Sequence, residues 1–112
     1  MDWAQAIDIY CERTSAAFWA EPANALSNLS FIAAATWAAV TARRIGERSA
    51  ASWMLILLAG AIGVGSFLFH TFANLWSSLA DTLPIWSFVA CFVVIATIRI
   101  GSVPPRKVLV IA

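Results

Sequence analysis

Three long stretches of the chain carry no charged side chain. The first covers residues 22–42, the second covers 49–80 if His70 is neutral, and the third covers 82–98. A helix needs about 20 mainly apolar residues to cross the hydrocarbon core of a bilayer, with a range of about 17–25. The sequence therefore predicts transmembrane helices over 22–42, 51–72 and 82–98, with 73–80 as a turn.

The composition agrees with a membrane protein. Hydrophobic residues make up 62% of the chain and charged residues 12%, whereas about a quarter of residues are charged in soluble domains. We therefore predict an all-α integral membrane protein with a single membrane domain over 1–112. Besides the three spans it has an acidic leader (1–21), a loop (99–107) and the start of a fourth helix (108–112).

The charges predict an orientation and exclude one class of partner. Basic residues follow the first and third spans, namely Arg43, Arg44, Arg48, Arg99, Arg106 and Lys107. Under the positive-inside rule both loops are cytoplasmic, and the N-terminus of this multi-pass protein is extracytoplasmic. The net charge is only +1 and the basic residues are dispersed, so the basic patch of a nucleic-acid-binding protein is missing.

His70 is an ionisable residue inside a predicted span, and such residues are functional candidates by default. Asp81 is its predicted partner, and a carboxylate bonded to one imidazole nitrogen leaves the other free for a metal. Ser66 lies one helical turn before His70, on the same face. Two interpretations stay open at this point: a hydrogen bond between His70 and Asp81 that only bridges helices, or a catalytic site.

The leader contains a second group of candidate residues, the carboxylates of Asp8, Glu12 and Glu21. Clustered carboxylates and backbone carbonyls suit a hard cation such as calcium. A solvated acidic leader without a bound ion is the alternative.

Two blocks of sequence contain all of these residues except Asp8. They read YCERTSAAFWAEPANALSNLSFI (10–32) and GVGSFLFHTFANLWSSLADTLP (63–84). Both resemble the alkaline ceramidases and the wider CREST superfamily of membrane hydrolases. The resemblance implies a seven-helix bundle, of which this chain is the N-terminal half, that uses zinc to cleave ceramide into a sphingoid base and a fatty acid.

The resemblance also implies roles for individual residues. His70 matches a zinc ligand, Ser66 and Asp81 match the catalytic Ser and Asp beside the metal, and Glu12 and Glu21 match two calcium ligands. The family's other two zinc histidines form a His-x-x-x-His motif on the last helix, and His70 is the only histidine in these 112 residues. We therefore expect this chain to be a fragment or truncated form that is inactive by itself.

These observations give two functional hypotheses. The first is a zinc-dependent membrane hydrolase that cleaves the amide bond of ceramide or a similar lipid amide and is surrounded by membrane lipids. The second is a non-catalytic, receptor-like or structural membrane protein in which His70 and Asp81 bridge helices.

Overall fold

The computed structural model of the chain describes residues 2–101 and residue 104. It contains four α-helices, which are α1 (Pro22–Ser27), α2 (Leu29–Arg44), α3 (Ala50–Phe72) and α4 (Leu75–Arg99). Because α1 and α2 are separated only by Asn28, they form one candidate span, Pro22–Arg44. The predicted fourth helix at 108–112 lies outside the described residues.

Within the described part of the chain, three helical segments are long and apolar enough to cross a membrane. They have 23, 23 and 25 residues, with mean hydropathies of 1.4, 2.0 and 2.0. Only 6% of the apolar window of α4 is buried, and large side chains such as Trp86 and Leu83 are exposed on it. This outward apolar surface is expected for helices in a membrane, and it confirms the predicted all-α membrane fold. The chain is a multi-pass membrane protein.

The turn between α3 and α4 is much shorter than predicted. Only Ala73 and Asn74 separate the two helices, so the predicted turn over 73–80 is wrong. The Asn74 side chain accepts a hydrogen bond from the backbone N–H of Ser77, and the Ser77 hydroxyl oxygen accepts one from the backbone N–H of Asn74. This capping box starts α4 early and places Asp81 inside the helix rather than before it.

A close contact between α3 and α4 holds the bundle together at Gly65. A Cβ atom at this position would overlap the carbonyl oxygen of Ala80 and would lie 3.2 Å from the backbone nitrogen of Asp81. Pro84, which lies inside α4, has no N–H to donate to the Ala80 carbonyl four residues earlier. The two helices therefore meet where α3 has a glycine, which has no side chain, and where α4 has the Ala80 carbonyl, which lacks its usual hydrogen bond within the helix.

Candidate active site at the end of α3

The N-terminal leader is attached to the end of the bundle that carries His70. The backbone N–H of Ile7 donates to the carbonyl of Ala73 (2.7 Å), and the N–H of Leu75 donates to the carbonyl of Gln5 (3.0 Å). These bonds provide hydrogen-bond partners for the Ala73 carbonyl and the Leu75 N–H at the α3–α4 turn. They also bring the leader over the last turn of α3, where His70 is 7% exposed.

His70 forms a buried pair with Glu21, which immediately precedes α1. The distance between His70 Nδ1 and Glu21 Oε1 is 2.9 Å, and Glu21 is only 1% exposed. A carboxylate can only accept hydrogen bonds, so the hydrogen of this bond is on Nδ1. In the neutral imidazole Nε2 then has a free lone pair, which is the form that binds a metal.

The partner of His70 therefore differs from the predicted one. Within residues 2–101 no hydrogen bond joins His70 to Asp81, and Glu21 occupies the position expected for that aspartate. Glu21 is 49 residues from His70 in the sequence, so no local pattern pairs them. The sequence did contain one indication of this pairing, because Glu21 lies at the start of the first span and so at the same end of the bundle as His70.

Asp81 is buried, and one of its carboxylate oxygens has no hydrogen-bond partner. Asp81 is 7% exposed, and its Oδ1 lacks any partner within the described residues. Leaving a buried acceptor unsatisfied costs about 1–3 kcal/mol, and more if the group is charged. An orphaned carboxylate oxygen of this kind is expected where a ligand, an ion or water completes the site.

The helix contact at Gly65 brings Asp81 to the catalytic candidates on α3. Gly65 precedes Ser66, and Ser66 is one turn before His70; both polar side chains are 7% exposed. The short approach of Gly65 to the Asp81 backbone places Asp81 beside this turn of α3. Ser66, His70 and Asp81 are therefore all buried at the same end of the α3–α4 interface, and their roles in catalysis stay a prediction.

Tyr10 packs against His70, and no sequence pattern predicted a role for it. Its ring centroid is 4.6 Å from that of His70. Burial and the negative charges of Asp81 and Glu21, in that order, raise the pKa of Tyr10 above its ordinary value of 10.0. The phenol is therefore neutral at physiological pH.

The three leader carboxylates predicted for calcium lie in different environments. Asp8 is exposed. The Glu12 carboxylate accepts hydrogen bonds from the backbone N–H groups of Ala23 (2.6 Å) and Asn24 (3.1 Å), and so satisfies the first turn of α1. Glu21 is bound to His70. Calcium binding by these residues stays a prediction.

The donor atoms present fit one part of a zinc site. His70 Nε2 is an available nitrogen ligand, and the buried Ser66 and the unpaired Oδ1 of Asp81 lie at the same end of the α3–α4 interface. A catalytic zinc typically has three protein ligands. Among residues 2–101 and 104, no three His, Cys, Asp or Glu side chains form a cluster that could hold a metal. The described residues therefore supply His70 as one ligand.

The fold and this site define a multi-pass α-helical membrane protein with a buried imidazole–carboxylate pair at one end of its bundle. The model of the family described as Ceramidase matches residues 6–112, and the chain belongs to that family. No curated protein and no solved structure matches the chain. Membership in the Ceramidase family implies a hydrolase with a lipid substrate.

Proposed function

We propose that this chain contributes to a zinc-dependent membrane hydrolase that cleaves the amide bond of ceramide or a similar lipid amide. The observation that carries the proposal is the buried pair of His70 with Glu21, which leaves Nε2 without a hydrogen bond at the end of the bundle where the buried Oδ1 of Asp81 also lacks a partner among the described residues. The match to the Ceramidase family supports the same chemistry.

Glu21 orients His70 for binding a metal through Nε2. Its carboxylate holds the hydrogen on Nδ1 and fixes the direction of the imidazole ring. Such outer partners make the ligand more basic, and their loss typically lowers metal affinity or activity about 10- to 100-fold. Bound zinc would lower the pKa of a water and polarise the amide carbonyl.

Asp81 and Ser66 would move the proton and stabilise the developing charge. The free Oδ1 of Asp81 can take a proton from the attacking water as its oxygen bonds to the carbonyl carbon. The same carboxyl group then returns this proton to the nitrogen as the C–N bond breaks, giving a fatty acid and an amine. The Ser66 hydroxyl can donate a hydrogen bond to the carbonyl oxygen as that oxygen becomes negative.

The orientation follows from the charge distribution. Arg43 and Arg44 are the last two residues of α2, and Arg48 lies in the loop between α2 and α3, at the opposite end of α3 from His70. Since basic loops face the cytoplasm, we place the leader and the site at the extracytoplasmic face. The substrate would then come from the outer leaflet.

Catalysis by the full-length protein in detergent tests this function, with release of fatty acid from ceramide as the assay. We expect Asp81→Asn to retain bound zinc and to lower kcat about 100- to 10,000-fold, the range typical of a general acid–base group. His70→Ala is expected to lose both zinc and activity. Asp2→Asn, which changes an exposed leader aspartate, is the matched control.

Two results would contradict these assignments. Equal zinc stoichiometry in the wild type and His70→Ala would exclude His70 as a ligand, and an unchanged kcat in Asp81→Asn would exclude Asp81 as the base. The non-catalytic alternative requires His70 and Asp81 to bridge helices. The pairing of His70 with Glu21 and the unpaired Oδ1 of Asp81 favour the hydrolase.

A further inference from the structure

Arg13 is a buried cation at the centre of the leader, with 6% of its surface exposed. Its Nε pairs with Glu21 Oε2. Its other donors bond to four backbone carbonyls: Nη1 to Ser15 (3.1 Å) and Ala17 (3.0 Å), and Nη2 to His70 (3.0 Å) and Thr71 (3.2 Å). A guanidinium has five N–H donors, so the five oxygen partners use all of them.

These oxygens are of the type that a hard cation takes in proteins. Calcium sites combine carboxylate oxygens with backbone carbonyls, and here one carboxylate and four carbonyls surround a guanidinium instead. Both oxygens of Glu21 are occupied, one by Arg13 and the other by His70. Both oxygens of Glu12 accept backbone N–H groups of α1. A divalent ion at Glu21 would also meet the positive charge of Arg13, so the donor set does not fit calcium.

We propose that Arg13 is the resident cation of the leader, making the leader independent of calcium, and that it positions His70 through Glu21. The positioning role rests on the proposed function of His70 as a ligand. The independence from calcium does not.

The contacts of Arg13 explain how one side chain can position His70 through Glu21. His70 and Thr71 are in the last turn of α3, whose carbonyls lack helical partners and carry the negative end of the helix dipole. Arg13 joins these carbonyls to the leader turn at Ser15 and Ala17. Its Nε holds Glu21 at the same time, so the carboxylate is fixed relative to the helix that carries the imidazole.

Lysine could not reproduce this arrangement. It has three donors on a single nitrogen, whereas the planar guanidinium distributes five donors over three nitrogens in a fixed fork. Removing the cation altogether would leave the Glu21 carboxylate buried with only His70 as a partner, which is strongly unfavourable.

The first experiment measures the response to calcium. The full-length protein in detergent is treated with a calcium chelator, and its thermal unfolding is followed as calcium is added up to about 1 mM, the range of weak extracellular sites. A ligand that binds only the folded state raises Tm with its concentration. We expect no change in Tm. A rise that saturates with calcium would overturn the calcium-independent role of Arg13.

The second experiment observes the imidazole directly. Selective ¹⁵N-histidine labelling gives the His70 signals, which are assigned by their loss in His70→Gln. The wild type is expected to show a protonated Nδ1 and an unprotonated Nε2. Arg13→Gln is expected to lose the Nδ1 hydrogen bond to Glu21, while Arg44→Gln, which changes an exposed arginine at the other end of the bundle, leaves the spectrum unchanged.

Retention of the wild-type imidazole signals in folded Arg13→Gln would overturn the positioning role. If Arg13→Gln does not fold, Arg13→Lys provides the test, because it keeps the charge but not the five directed donors. We expect its imidazole signals to shift, and an unchanged spectrum would overturn the role. Neither experiment measures hydrolysis, so a failure of the proposed enzymatic function is distinguishable from a failure of this inference.

Discussion

Gly65 is the position at which the smallest substitution should have the largest structural effect. An alanine Cβ there would overlap the Ala80 carbonyl oxygen and would lie 2.6 Å from the carbonyl carbon. These are backbone atoms of α4, so they cannot rotate away as a side chain would. Gly65→Ala therefore requires α3 and α4 to move apart.

The net effect on stability follows from two opposing terms. Adding a methyl group to a tightly packed site typically costs about 1–3 kcal/mol, whereas replacing a helical glycine by alanine stabilises by about 0.5–1 kcal/mol. Because the overlap is with backbone atoms, the upper end of this cost, about 3 kcal/mol, applies, and Gly65→Ala should lower the free energy of unfolding by about 2 kcal/mol. Because Ser66 and Asp81 flank this contact, the same change is also expected to lower kcat.

Gly60→Ala is the matched control on the same helix. The nearest atom to its new Cβ would be Ala35 Cβ at 3.7 Å, an ordinary van der Waals contact. Only the helix-propensity term then remains, and stability should rise by about 0.5–1 kcal/mol. Unfolding by SDS in mixed micelles, followed by circular dichroism, measures both variants. Equal stability of Gly65→Ala and Gly60→Ala would refute the close helix contact.

Two further predictions concern Tyr10 and Asn74. Tyr10 is the only tyrosine of the chain, so an absorbance titration should report one phenol pKa above 10.0, lowered by Asp81→Asn; an ordinary pKa in the wild type would contradict the packing of Tyr10 against the site. Because the pKa of Tyr10 is higher in the folded state, the phenol ionises at a lower pH in the unfolded chain. The free energy of unfolding should therefore fall as the pH rises above 10 and through the folded-state pKa. Tyr10→Phe should lose this pH dependence. Asn74→Ala removes the cap of α4 and should cost about 1 kcal/mol in the SDS assay, with Ser78→Ala, whose hydroxyl caps nothing, close to wild type. An unchanged midpoint for Asn74→Ala would show that the cap does not stabilise α4.

The parts of the fold that the sequence predicted depend on neighbouring residues only. Uncharged stretches of about 20 residues indicate membrane spans whatever surrounds them, and helical periodicity alone places Ser66 and His70 on one face. The start of α4 was missed because the apolar pattern does not mark the Asn74–Ser77 capping box, which sets the first turn by hydrogen bonds. The cap moves the start of the helix from residue 82 to Leu75.

The sequence by itself determined that this is a membrane protein of long apolar helices, and it predicted His70 as a zinc ligand and Ser66 and Asp81 as catalytic residues. Only the tertiary structure decided which carboxylate binds His70, and which cation holds that carboxylate. The choice of Glu21 over Asp81 depends on the leader folding back onto the end of α3, through backbone bonds at Ala73 and Leu75. These contacts join residues 49 or more positions apart. They depend on how the leader packs against the helices, and a local sequence pattern cannot predict that packing.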